Sequence, residues 1–262
     1  MHIQYYNSVF EQSASRTVVA LLDIKEEKQR LRQHIWELME KLNIARFPRP
    51  VYGRIPNFAG AEKAAEKVLF LREWKQAHVI KANPDSPQRP IREYALREGK
   101  IVIMATPRLR QGFLLLDPKT IPSNKLRFTS TIKGAFRHGR LIRLTEIPRV
   151  DLVVTGCVAV DRRGNRLGKG GGYAEIEYAI LREIGALDEK TPVLTTIHDV
   201  QLVDHVPREK HDLTVDIIIT PTKTIRVEPR PPKPTGIYWD LLGDKKELPI
   251  IKELQTLLSH YR

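Results

Sequence analysis

The chain has 262 residues, 41% of them hydrophobic and 29% charged, with a formal net charge of +13 and a single cysteine. That length can bury a full core, no apolar run approaches the roughly 18 residues of a membrane span, and one thiol excludes an internal disulfide and suits the cytoplasm. The positive balance fits nucleic acid or an anionic small molecule, but the cations are scattered and no alternation of glycine and aromatic residues marks an RNA-binding module, so nucleic acid is not favoured.

Residues 1–22 read as a lead segment. Their short apolar run has no basic lead-in, so a secretory signal is not expected. Residues 24–42 predict a helix, with Asp23 as N-cap and Ile24, Leu31, Ile35, Leu38, Met39 and Leu42 as an apolar stripe. Lys28 and Arg32 emerge on one face, one turn apart, which by itself describes a solvated basic face. Residues 47–58 are punctuated by proline and exclude a regular helix. A helix over 59–74, a strand over 77–82, a turn at 83–87, a helix over 91–98 closed by Gly99, and a buried strand over 100–105 follow. Thr106–Gly112 then stands at the carboxyl end of a strand, where open α/β sheets bind ligands, and it carries Arg108 and Arg110. Phe113–Leu116 reads as an edge strand or a pocket wall, and residues 117–149 carry little pattern.

A β-branched strand, Asp151–Val160, feeds the segment Gly164–Tyr173, in which five of the ten residues are glycine. Apolar residues at helical spacing follow, so the order is strand, glycine loop, helix. Glycine lets a backbone curl close to a ligand. The unpaired N–H groups of a helix start favour an anion, and Arg166 and Lys169 add donors suited to phosphate. A nucleoside triphosphate is the expected guest, held by Arg166, Leu167, Gly168, Lys169, Gly170, Gly171, Gly172 and Tyr173. The Walker pattern and the dinucleotide fingerprint are both unmet: Gly170 follows Lys169, and Tyr173 stands where a last glycine belongs. Cys157 reads as a small buried residue, not a nucleophile.

Further strands are expected over 191–197 and 214–220. Asp216 lies inside the second, where an unpaired carboxylate is costly, so it asks for a partner, a metal or a cation. The pairs His198-Asp199 and His211-Asp212 flank strands, which argues against a hydrolase of the His-Asp type. Pro229–Pro234 reads as an extended linker and 249–261 as an amphipathic helix. Strands alternating with helices predict a mainly parallel sheet covered on both faces.

Val160-Asp161, Gly164, Arg166, Leu167, Gly168, Gly170, Gly172 and Tyr173 match the signature of the 5-formyltetrahydrofolate cyclo-ligase (methenyltetrahydrofolate synthetase) family, with Ala174 and Glu175 where that family has Tyr and Asp. Phe47–Pro50, Arg54–Phe58, Thr106–Arg110 and His211–Asp216 resemble its methenyltetrahydrofolate synthase domain-containing branch. The resemblance covers roughly residues 25–240. It implies a three-layer α/β/α domain of the NagB/RpiA/CoA-transferase-like architecture over 23–228, with 229–262 packed on it. It also implies ATP-dependent closure of 5-formyltetrahydrofolate, or a related reduced pterin, to the 5,10-methenyl form, with Mg²⁺ as cofactor. On that basis Lys28 and Arg32 join the loop in holding ATP, and Lys28, Arg166 and Tyr173 attend the reacting centre. Glu175 and Asp216 hold the metal, and Asn57, Arg108 and Tyr173 face the substrate. The family's acidic folate contact has no clear match within Asn57–Glu62. The alternative is a nucleotide-binding protein of the same fold with changed or lost folate chemistry, RNA binding included. A cytoplasmic monomer or homodimer is expected.

Overall fold

The computed structural model describes residues 23–260, so the expectations for 1–22 lie outside the described residues. Helix α1 (23–41) is the predicted basic-faced helix, and it buries Ile35, Trp36 and Met39. Leu42 falls past its end and is 52% exposed, so the apolar stripe stops one turn early. Strands β1 (Ala45–Arg46) and β2 (Asn57–Phe58) then pair antiparallel around the proline segment. The helix expected over 59–74 is two, α2 (Ala61–Val68) and α3 (Arg72–Gln76). Leu71 between them is extended, with ψ 142°, and this turn lets Trp74 enter the core.

The remaining elements are β3 (Val79–Ala82), α4 (Arg89–Arg97), β4 (Ile101–Ala105), β5 (Phe113–Leu116), α5 (Leu126–Thr129), α6 (Ile132–His138), β6 (Arg140–Ile142), β7 (Leu152–Val154), β8 (Ala159–Asp161) and β9 (Arg166–Leu167). They continue with α7 (Tyr173–Glu183), β10 (Val193–Thr196), β11 (Leu202–Val203), β12 (Ile217–Ile219), β13 (Thr224–Arg226) and α8 (Pro249–Ser259).

The main sheet runs β13-β12-β10-β7-β3-β4-β5-β6. Its middle, from β12 to β4, is parallel, and antiparallel strands flank it on both sides. Central parallel strands are covered on both faces and read as continuous apolar runs. Ile80, Val102, Val154, Leu194 and Ile217 face the layer built by α1, α2, α3 and α4. Val79, Ile103, Val153, Val193 and Ile218 face α7 and α8. The result is the three-layer α/β/α fold with a mainly parallel sheet. Period-two alternation puts Lys81 on the same face as Val79, toward α7.

Two expectations are corrected. β5 is not the edge, because β6 pairs outside it. β6 is only three residues long with an exposed Arg140 and Leu141, which gives no local strand signal. The apolar run 151–160 is also not one strand. β7 stays in the main sheet, and β8 leaves it to pair with β9 and β11 in a three-stranded sheet. Gly156 sits at the departure, where a Cβ would lie 2.7 Å from both Gln88 Oε1 and Ile55 Cγ2. The glycine-rich segment is therefore a hairpin between β8 and β9, followed by the loop proper, 168–172.

That hairpin turns on Gly164, at φ +80°, where a Cβ would meet the Val215 carbonyl oxygen at 2.3 Å. Val215 N–H donates to the Gly164 carbonyl at 2.9 Å, so the contact is part of the fold. Gly164→Ala must both adopt a left-handed φ and open this contact. A loss of roughly 2–3 kcal/mol is expected in urea unfolding. A loss under about 0.5 kcal/mol would show that the turn relaxes freely.

Candidate functional site

The chain order reverses direction between β3 and β7, and ligands of open α/β sheets bind outside the carboxyl ends at such a point. A cavity of about 710 Å³ lies there. Its walls are Asn83–Ser86 beyond β3, Thr106–Arg108 beyond β4, Gly156 beyond β7, and the loop with the start of α7. Pro48, Gly53–Ile55, Ile132 and Lys245 also line it.

The glycine loop is turned as the sequence expects. Gly170 has φ +99° and Gly172, the N-cap of α7, has φ +68° with no side-chain cap. No backbone N–H from Lys169 to Glu175 has a hydrogen-bond partner among the described residues, and all seven of these residues line the cavity. Unpartnered donors at a helix start favour an anion over a neutral group. Arg32 braces it from behind: its Nε donates to the Gly168 carbonyl at 2.8 Å. Arg32 is not among the cavity-lining residues, so it supports the loop rather than projecting into the space.

Arg166 is almost wholly buried at the cavity wall. Its Nε donates to the Leu213 carbonyl at 3.1 Å and its Nη1 to the Gly156 carbonyl at 3.0 Å, and its Nη2 pairs with Glu175. Burial pulls its pKa below the ordinary guanidinium value, against the raising effect of nearby acids such as Asp212 and Glu177. Lys169 reaches across the opening to Asp85 at 2.9 Å. Tyr173 lines the cavity, with Lys245 Nζ 5.6 Å from its ring centroid. Arg108 lines it from the far side, held at φ 57° in the turn after β4.

Four expected ligands take other positions. Leu167 is 1% exposed and points into the core, because β9 presents its other face to the cavity. Lys28 is buried between Glu209 (2.8 Å) and Asp212 (2.5 Å) and does not line the cavity. Asn57 turns its Nδ2 to the Phe47 carbonyl at 2.8 Å and serves the proline segment. Asp216 accepts from Arg230 Nε at 3.0 Å, Lys233 Nζ at 2.8 Å and the Val193 N–H at 2.8 Å. Of a partner, a metal or a cation, Asp216 thus has cations, and these tie the proline-rich segment to β10 and β12. Glu175 and Asp216 do not fit a shared metal, since Asp216 is enclosed by its own cations. Glu209, His211 and Asp212 bring ligand atoms within 4.8 Å of one another, and Lys28 is their present counter-charge.

The sequence reading missed three residues that shape the floor. Lys81 Nζ donates to Glu177 Oε2 at 2.6 Å and to Asn83 Oδ1 at 3.3 Å. Asn83 Nδ2 donates to the same Glu177 oxygen at 3.0 Å. All three are buried, and Asn83 and Glu177 line the cavity. The one available signal was a lysine inside an apolar strand, which is costly without a partner.

Comparison with known proteins adds the following. Residues 24–221 match the model of the 5-formyltetrahydrofolate cyclo-ligase family. A methenyltetrahydrofolate synthase domain-containing protein of Bos taurus is 44% identical over 238 residues, covering 87% of this chain. This chain spans only 62% of that relative's length. A 5-formyltetrahydrofolate cyclo-ligase of Escherichia coli (strain K12) is 34% identical over 77 residues, 29% of this chain and 40% of that protein. The NMR structure of Aquifex aeolicus 5,10-methenyltetrahydrofolate synthetase superposes with a TM-score of 0.50 at 20% identity, over 77% of this chain and 93% of the other, and supports the fold alone.

Proposed function

The chain belongs to the 5-formyltetrahydrofolate cyclo-ligase family, and on that footing we propose that its cavity closes 5-formyltetrahydrofolate, or a related reduced pterin, to the 5,10-methenyl form at the expense of ATP. The observation that carries this reading is the row of N–H groups from Lys169 to Glu175, unpaired among the described residues, on a segment that lines a cavity rimmed by Arg54, Arg108, Lys169 and Lys245. Such a surface suits a triphosphate and would gain little from a neutral guest.

In this mechanism the 5-formyl oxygen attacks the γ-phosphorus, the bond to the β-phosphate oxygen breaks, and ADP leaves. N10 then adds to the activated formyl carbon, phosphate departs and takes the N10 proton, and the 5,10-methenyl cation remains. Phosphoryl transfer leaves the protein mainly positioning and charge neutralisation. The loop amides would cradle the phosphates. Lys169, released from Asp85, and Lys245 would meet their charge. Arg166 would keep Gly156 and Glu175 in register with the loop, and Arg32 would hold the loop from behind. Tyr173 and Arg108 would flank the pterin. No step is assigned to a metal, because Glu175 and Asp216 do not form a site for one.

The test is optical. Adding 5-formyltetrahydrofolate and Mg-ATP to the whole chain is expected to raise the absorbance of the methenyl product, with no rise when ATP is left out. ATP binding with no product would instead support the nucleotide-binding alternative.

A further inference from the structure

We propose that the corner formed by α5 and α6 binds single-stranded nucleic acid, with Phe128 and Phe136 as stacking rings and Lys125, Arg127, Lys133 and Arg137 as phosphate contacts. Charge is spread unevenly along the chain. Residues 117–149 hold eight Lys and Arg against two acids, Asp117 and Glu146, a net +6 of the chain's +13. Cations that look scattered in the sequence are gathered by folding, because α5 packs on α6 and α6 on β5. The two helices touch through their backbones: a Cβ on Gly134 would lie 1.9 Å from the Phe128 carbonyl oxygen. Thr131 Oγ1 accepts from the Gly134 N–H at 3.0 Å and donates to the Phe128 carbonyl at 2.7 Å. The Phe128 ring meets His138 edge-on, with centroids 6.0 Å apart. The corner therefore holds its rings and cations in a fixed arrangement.

Arg140 and Arg143 share Glu146. Lys125, Arg127, Lys133 and Arg137 are exposed and have no carboxylate partner among the described residues. Lys133 and Arg137 are four apart on α6, as are Ile132 and Phe136, so a cationic row runs beside an apolar one. Like charges held together repel, and a polyanion relieves them. The apolar groups decide which polyanion. Phe128, Ile132, Phe136 and Leu141 are between 36% and 48% exposed, so more than half of each stays against the fold. A bilayer takes apolar groups that stand clear of the surface, whereas a base needs only one open ring face. Rings interleaved with cations suit a single strand, whose phosphates release counterions while its bases stack. None of the two rings and four cations lines the cavity, so this surface is separate from the glycine loop.

The experiment titrates fluorescein-labelled oligo(dT) and oligo(rU), each of about 16 nucleotides, with the whole chain and reads anisotropy. Both are expected to bind, and the tighter of the two tells DNA from RNA as the natural source. Log K should fall against log salt with a slope of about −3, from four contacts at about 0.7 each. Arg127→Ala, Lys133→Ala and Arg137→Ala together should flatten that slope to about −1. If the triple variant does not fold, Lys133→Ala alone decides, through a loss of about 0.7 in slope. Phe136→Leu keeps apolar bulk without a ring, and should weaken binding about tenfold at unchanged slope. Failure of both strands to bind at about 0.1 M salt overturns the inference. So does displacement of the strand by Mg-ATP, which would place it in the cavity. An affinity unchanged in Phe136→Leu also overturns it, as the mark of a bare cationic surface that an acidic protein segment would serve equally. Phosphatidylserine vesicles bound in place of the oligonucleotides, and lost in the same variants, would assign the surface to a membrane instead.

Discussion

Mg-ATP is expected to raise the melting temperature of the wild-type chain, and Arg166→Met is expected to abolish that rise and to slow turnover of the proposed reaction by about 10²–10³-fold. The reasoning starts from burial. Arg166 is 3% exposed and donates to the carbonyls of Gly156 and Leu213 while pairing with Glu175. Those three acceptors belong to the strand exit at β7, the segment before β12, and the first turn of α7. One side chain therefore sets the distance between the wall and the helix start that lines the cavity. Removing it leaves two carbonyls unpaired and Glu175 without its cation, on the wall of the cavity proposed to take an anion. Removing one partner of a buried pair typically costs about 3–5 kcal/mol, so the apo protein should also unfold at lower urea. Arg166→Lys separates the two effects. It keeps the charge but has no fork to span three acceptors, so it should recover little of the ATP response. If Arg166→Met retains the full Mg-ATP shift, the loop binds without this brace and the proposed organisation of the phosphate end is wrong.

What the sequence shows of this molecule divides by range. α1, α7 and α8 and strands β3, β4, β10 and β12 follow from periodic apolar residues, a signal confined to neighbours in the chain. The glycine loop is legible for the same reason: its conformation is written in consecutive residues, and Gly170 and Gly172 do take positive φ. The charged side chains are different. Lys28 finds Asp212 184 positions away, and Lys81 finds Glu177 at 96. A lysine on a helix looks solvated until the fold delivers its partner. Asp216 shows the intermediate case: its need for a counter-charge is visible locally, but Arg230 and Lys233 lie beyond β13 in a stretch without helix or strand. The break between β7 and β8 was hidden because 152–160 is buried throughout, in two sheets rather than one.

The same reasoning yields the largest stability effect expected in the chain. Arg92 sits on α4, in a helix that reads as ordinary, yet it is 1% exposed. Its guanidinium donates to the carbonyls of Ser130 (2.9 Å), Asp85 (3.1 Å) and Pro84 (3.2 Å), and also to that of Asn83. It therefore ties the cavity segment beyond β3 to the end of α5. Burial draws its pKa down to about 10, against the raising effect of the nearby Asp85 carboxylate, so it remains cationic at neutral pH with the four carbonyls as its hydrogen-bond acceptors. Arg92→Met should remove roughly 3–5 kcal/mol in urea unfolding, a large share of the 5–15 kcal/mol typical of a domain. The loss has a location: amide exchange should quicken at 83–88 and 126–131 ahead of the central strands. Asn83 would also loosen its hold on Glu177 Oε2, so the floor of the cavity should weaken along with the fold. Arg92→Lys offers three donors on one nitrogen and cannot reach two segments at once, so it should restore less than half of the loss. A lysine variant within about 1 kcal/mol of wild type would mean that charge alone, and not the fork, holds the two segments together.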